Sequence, residues 1–405
     1  MSPSHNTLPV IVAGGGIGGL AAALALVRQG FAVTVLEQAP EIGEIGAGIQ
    51  IGPNGFHAFD ALGIGDKARG RAVYTDFMVM HDALDEYQVG KIPTDEKFRE
   101  RFGNPYAVIH RADVHLSLLE AAQETGQVQF HTSTRVVRIE QDDSSVTVWD
   151  QNGKAFQGCA LIGADGVKSV VREQFVGDPA RVTGHVVYRA VVDKKDFPAD
   201  LQWNAAAIWV GPNCHLVHYP LRGGEQYNVV VTFHSREQEE WGVKDGSKEE
   251  VQSYFQGICP KARQLIDLPK TWKRWATADR EPIGQWTYGR VSLLGDAAHP
   301  TTQYMAQGAC MAMEDAVTLG EALRVHSNDW PKALDMYQRA RVARTARIVL
   351  SSREMGRIYH AKGVERLVRN DLWRGRSPER FYDAMAWLYG WNVGNCLDAA
   401  IDPAR

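Results

Sequence analysis

The stretch "PVIVAGGGIGGLAAALALV", residues 9–27, contains no charged side chain, and Leu8 extends it to twenty apolar or glycine residues. A run of that length can cross a bilayer as a helix, and Gly14 and Gly18 hold the spacing of helix-pairing glycines. A secretion signal is a second reading, but it requires a basic start and residues 1–8 hold no Lys or Arg. The third reading comes from punctuation. LPVIVA (8–13) has the composition of a buried parallel strand, three glycines interrupt it, and Leu20 to Arg28 is Ala/Leu-rich and helical. Gly30 stands where a helix-ending glycine belongs, and FAVTVL (31–36) is a second β-branched run that ends on Glu37. Strand, turn, helix and strand within about thirty residues make one βαβ unit.

The rest of the chain agrees with a nucleotide fold better than with an anchor. No comparable apolar run follows, and 44% hydrophobic with 23% charged residues is a soluble globular composition. At 405 residues the chain exceeds one typical domain. A net charge of −4 gives no reason to expect nucleic acid as a partner. The five cysteines are scattered, odd in number and free of C-x-x-C pairs, which points to a reducing cytoplasm without structural metal.

Periodicity predicts a helix over 113–123 with Asp113 as its acidic N-cap, and a hairpin from 128–140 and 145–150. Residues 160–162 form another buried strand in this reading. Residues 182–235 alternate apolar and polar, as in VVYRAVV and HLVHYPL, which is sheet with one solvated or site-lining face. Residues 236–256 are charged and predicted helical, 291–294 strand, and the chain from Gln307 onward mostly helix. The basic run 337–349 is expected to be a solvated helix near a nucleotide groove or dimer contact. These shifts suggest a sheet-rich module inserted into a nucleotide-binding one. The expected division is 1–75, 105–180 and 280–325 for nucleotide binding, 76–104 and 181–279 for substrate, and 326–405 as a helical C-terminal region.

Gly14, Gly16 and Gly19 form G-x-G-x-x-G: the first allows a tight turn, the second lets a pyrophosphate approach the backbone, and the third lets helix pack on strand. Glu37 lies 18 residues past Gly19, where a carboxylate binds adenosine ribose hydroxyls, or else is a solvated strand-end charge. Gly163-Ala164-Asp165-Gly166 follows a short strand, and Asp165 alone reads as the N-cap of the next helix. Leu294-Gly295-Asp296-Ala297-Ala298-His299-Pro300 also ends a strand, and an acid there points into the ligand crevice of an α/β sheet.

Together, the glycine-rich start, GADGVKSVVR and GRVSLLGDAAHP resemble the single-component (group A) flavoprotein aromatic hydroxylases, over the first strand to about residue 350. The resemblance implies an α/β Rossmann-like FAD-binding domain with an inserted α+β, mixed-sheet substrate domain. It implies tightly bound FAD held by Gly14, Gly16, Gly19, Glu37, Arg111 and Asp296, and Asp165 in a loop shared by the FAD pyrophosphate and the nicotinamide nucleotide. GAGIQIGPN (46–54) would run beside the isoalloxazine, and a helix starting near Gly308 would turn its positive end toward the reduced flavin. No second G-x-G-x-x-G follows, so NADH or NADPH would bind transiently as co-substrate. The family's chemistry is O₂ activation through a C4a-hydroperoxide, with attack on an electron-rich ring, commonly as a homodimer.

GPNCHLVHYPLRGGE holds the candidate base. In a strand His215, Val217 and Tyr219 share one face, and Cys214, Leu216 and His218 the other, so at most one of the two histidines faces a substrate. This stretch, with PTTQYMAQGA after it, resembles the 3-hydroxybenzoate 6-hydroxylase branch of the family. That resemblance implies that His215 and Gln303 handle a phenolic proton and that Tyr219 contacts a small aromatic substrate, giving gentisate. Decarboxylating salicylate 1-hydroxylation, 6-hydroxynicotinate 3-hydroxylation and a non-catalytic FAD carrier are the alternatives. Arg189 and Arg222 are cations for a substrate carboxylate or equally structural ion-pair residues.

Overall fold

The computed structural model describes residues 8–43, 47–240, 242–327 and 329–402. The first strand, Val10–Ala13, sits inside a six-stranded sheet with Val33–Leu36 on one side and Ala160–Gly163 on the other, both parallel to it. Val128–His131 and Val291–Leu293 extend the parallel set at its two ends, and Thr287–Tyr288 closes one edge antiparallel. Strands covered on both faces tolerate no charge, and Val10, Ile11 and Val12 are 0% exposed. Helix Ile17–Arg28 packs against the sheet with Leu20 to Ala23 also at 0%. Burial, and no bilayer, accounts for the uncharged opening. Among the described residues no helix is long and apolar enough to cross a membrane. Gly30 takes φ +86° just past the helix and returns its N–H to Val27 O at 2.9 Å.

Three local expectations are corrected. Val128–His131 joins the nucleotide sheet, and the hairpin is built by Val136–Gln141 and Val146–Asp150, because Ser133 at φ +51° turns the chain after His131 and before Val136. The helix expected from Asp113 runs Arg111–Glu124, and its N-cap is His110, whose ring accepts the Ala112 N–H at 3.3 Å. Among the described residues of 236–256 only Lys248–Tyr254 is helical; Gly242–Gly246 pairs with Trp272–Asp279, the sheet edge overriding the polar composition.

The second sheet has eight strands, drawn from Phe77–Pro93 and from residues 181–279. Cys214–Leu221 and Gln226–His234 lie near its middle and pair antiparallel. One face is sealed by helices Lys248–Tyr254 and Pro260–Asp267, which pack Val251, Phe255 and Leu265 over Cys214, Leu216 and Phe233. The opposite face turns toward the nucleotide half.

Helix Gly308–Val325 joins the first core, and the thirty-residue helix Trp330–Tyr359 lies over it. The basic run 337–349 is therefore not simply solvated. Arg341 is 0% exposed, with Nε 2.7 Å from Asp315 Oδ1 and Nη1 2.8 Å from Glu314 Oε2, and Arg344 also reaches Glu314 at 2.8 Å. Two buried acids on the neighbouring helix draw these arginines inward.

Candidate active site

The glycine turn forms an open cradle. Gly14 has φ +106°, and a Cβ there would overlap the Ala164 carbonyl, while one on Gly19 would overlap the Gly14 carbonyl. A Cβ on Gly16 would meet nothing within 4 Å, so this backbone borders open space that a pyrophosphate can enter. Glu37 folds back over the turn: Oε2 accepts the Gly15 N–H at 2.7 Å and Oε1 the Ala39 N–H at 2.8 Å. His115 Nε2 lies 2.8 Å from Gly15 O and braces the turn from the 111–124 helix, a contact that no local motif announces.

The two downstream acids behave differently. Asp165 is not the N-cap of helix Val170–Phe175; that is Ser169, whose Oγ accepts the Arg172 N–H at 2.9 Å, and Asp165 braces it by accepting from Ser169 Oγ and from the Val170 and Val171 N–H groups at 2.7 and 3.2 Å. Asp296 is solvent-accessible although Gly295 and Ala297 on either side are buried. Desolvation raises its pKa, against the pull of His299 and Arg111. An open acid, a cradle that only glycine leaves clear, and the Gly308–Val325 helix start with no side-chain cap fit the ribityl and pyrophosphate parts of FAD.

Arg172, fully buried, ties the two motifs together. It pairs with Asp178 at 2.7 Å and donates to the carbonyls of Ala297 and Ala298 at 3.1 and 2.6 Å. Asp315 holds the same loop from below, accepting the Gly295 N–H at 3.0 Å and meeting His299 Nε2 at 2.5 Å.

The eight-stranded sheet presents the other wall. His215 is 2% exposed on the face toward the nucleotide half, with ring centroids 5.4 Å from Tyr304 and 5.6 Å from Tyr359. Its cross-strand neighbour Thr232 accepts from Gln303 Nε2 at 3.3 Å, which places Gln303 beside the strand pair carrying His215. His218 points the other way, into a cage with Phe197 and Trp203, ring centroids 5.7 and 5.5 Å away. Neither of its ring nitrogens has a hydrogen-bond partner among the described residues.

Tyr219 lies four residues along the strand from His215, roughly 13 Å at the rise of an extended chain. It shares that end with Arg189, whose Nη1 is 3.5 Å from Gly48 O, and burial lowers the Arg189 pKa, with Tyr219 pulling the other way. Arg222 is exposed beyond the strand's end. Of GAGIQIGPN, Gly46 falls outside the described residues. Gly48 donates to Asn228 Oδ1 at 3.1 Å, and a Cβ on it would overlap the Tyr219 ring. Gly48→Ala is expected to destabilise the fold by about 1–3 kcal/mol through overpacking. Urea denaturation checks this, and an unchanged midpoint would mean that Tyr219 moves freely.

The model of the FAD binding domain family matches residues 7–352. A 3-hydroxybenzoate 6-hydroxylase from Polaromonas naphthalenivorans (strain CJ2) is 85% identical over 397 residues, covering 98% of this chain and 99% of that one. One from Klebsiella oxytoca is 60% identical, covering 97% and 99%. Among solved structures, Klebsiella pneumoniae HpxO complexed with FAD and uric acid superposes with a TM-score of 0.81 at 30% identity, covering 95% of this chain and 97% of that one.

Proposed function

Because the chain belongs to the FAD-binding family of flavoprotein aromatic hydroxylases, we propose that it hydroxylates 3-hydroxybenzoate para to the ring hydroxyl, giving 2,5-dihydroxybenzoate (gentisate). The observation that carries this reading is the 85% identity over 98% of the chain. The two-walled cleft supports it with groups suited to a phenol at one end and a carboxylate at the other.

When bound, FAD supplies the two-electron chemistry that activates O₂. Gly14, Gly16, Gly19, Glu37, Arg111 and Asp296 hold it, Asp165 shapes the loop beside it, and the helix start at Gly308 turns positive N–H groups toward it. His215 takes the phenolic proton, which raises electron density at the para carbon, and the Gln303 amide orients the same oxygen. Tyr219 and Arg189 receive the carboxylate and fix which carbon faces the flavin. Val217, Val230 and Tyr304 line this wall and keep bulk water out.

NADH or NADPH and O₂ complete the reaction as transient partners. We further assign residues 1–75, 105–180 and 280–325 to the FAD domain, 76–104 and 181–279 to the substrate domain, and a homodimer in the cytoplasm. Five free, buried cysteines support a reducing compartment.

Incubation with NADH and a panel of hydroxybenzoates tests the reading: 3-hydroxybenzoate should yield gentisate. Catechol from salicylate as the main product would replace it with decarboxylating hydroxylation, and NADH oxidation unaffected by any aromatic acid would leave an FAD carrier. Asp296→Ala is expected to weaken FAD binding about 10- to 100-fold, the loss of a charge-assisted hydrogen bond. Flavin fluorescence titration of the apoprotein reads it, and an unchanged affinity would remove Asp296 from the site.

A further inference from the structure

His215 does not face the cleft alone. Its Nδ1 lies 2.8 Å from Nε2 of His360, 145 residues later, at the C-terminal end of helix Trp330–Tyr359. His360 is only partly buried, and beyond it stand His185, at 5.5 Å between ring centroids, and His234, a further 5.1 Å on and exposed. Four imidazoles thus lead from the substrate wall to the surface. Tyr304 closes the side of this row with its hydroxyl on His185 Nδ1, and Tyr359 covers His215.

We propose that His360 is the outer half of a two-histidine proton relay: it accepts at Nε2 the proton that His215 gives up from Nδ1 as His215 Nε2 receives the substrate's phenolic proton. In the same concerted step His360 releases its own Nδ1 proton to water. Three N–H or O–H bonds break and three form, one proton leaves the cleft, and both rings stay neutral throughout. The inference rests on the reading of His215 as the phenol's base.

Two observations favour a relay over a lone base. The 2.8 Å nitrogen–nitrogen approach requires one ring to donate and the other to accept, which fixes complementary tautomers on the pair. Charge is also expensive here. Burial, with His185 beside it, pushes His215 down to about 3, and burial with His215, His185 and His234 around it lowers His360 well below its ordinary value. A neutral ring so reluctant to become a cation cannot store a proton; it can only pass one through. His360 is therefore a positioning residue, setting the tautomer of His215 and draining its proton.

The test uses His360→Gln and His215→Gln in the FAD-loaded enzyme. Glutamine keeps a hydrogen-bonding group but cannot take a proton on one atom while losing it from another. His360→Gln should bind FAD and 3-hydroxybenzoate as the native protein does, yet form bound phenolate, followed by its ultraviolet difference spectrum, about tenfold or more slowly. The native rate in mixtures of H₂O and D₂O should curve with deuterium content, as more than one moving proton requires. In the variant it should become linear, and added imidazole should restore part of the rate. An unchanged rate and an unchanged curve in His360→Gln, with His215→Gln slow, would overturn the relay and leave the base standing. Both variants matching the native protein would overturn the base itself. If His360→Gln fails to fold, ¹⁵N-histidine NMR of the native protein decides: a scalar coupling across the His215–His360 N–H···N bond supports the relay, and its absence removes it.

Discussion

His215→Ala is expected to slow hydroxylation of 3-hydroxybenzoate about a hundredfold or more while leaving FAD bound. The ring lies on the wall facing the nucleotide half, beside the Gln303 and Thr232 contact, and none of the groups placed around FAD depends on it. Without the base the substrate stays a phenol, the ring is less electron-rich, and activated oxygen is lost as hydrogen peroxide. The reading is the ratio of gentisate formed to NADH consumed; a ratio equal to that of the native protein would show that His215 is not the base. His218→Leu is the matched control. Its imidazole has no hydrogen-bond partner among the described residues and sits on the sealed face, so an apolar replacement should cost little stability and leave coupling intact.

The second large effect falls on stability. Arg341→Met should destabilise the fold by about 3 kcal/mol or more, because it leaves Glu314 and Asp315, both 0% exposed, with one fewer counter-charge inside the protein. Arg344 still pairs with Glu314 and His299 with Asp315, which sets the expected loss near the lower end for a broken buried pair. The damage should reach the cofactor as well, since Asp315 holds the Gly295 N–H and through it the loop carrying Asp296. The urea midpoint and FAD retention should fall together. A stability loss of less than about 1 kcal/mol, from the midpoint shift times the slope, would show that Arg344 and His299 suffice for the two acids.

These two residues mark opposite ends of what could be read in advance. The alternation in CHLVHYPL separates His215 from His218 by face, because side chains in a strand alternate strictly. Which face looks into the cleft is decided by the helices Lys248–Tyr254 and Pro260–Asp267 covering the other one. Arg341 lies in a basic amphipathic run whose composition suits solvent, and only the approach of Glu314 and Asp315 turns it inward. Asp165 reads as the N-cap of the next helix from its position after a strand, but the cap is Ser169, four residues on, and Asp165 supports it by accepting from Ser169 Oγ and the Val170 N–H. Arg172 carried no such signal, since the carbonyls it holds at Ala297 and Ala298 are more than a hundred residues away.

The sequence by itself determined the nucleotide-binding half. Its glycines answer local demands that recur at fixed spacing: a positive φ at Gly14, a close approach at Gly19, an open backbone at Gly16. The absence of charge in residues 9–27 follows from strand and helix burial in the same short unit. Tertiary structure alone decided the rest: the wall His215 serves, the entry of Arg341 into the core, and the pairing of His215 with His360. Those outcomes depend on which surface covers which, a relation between segments far apart in the chain that no local spacing encodes.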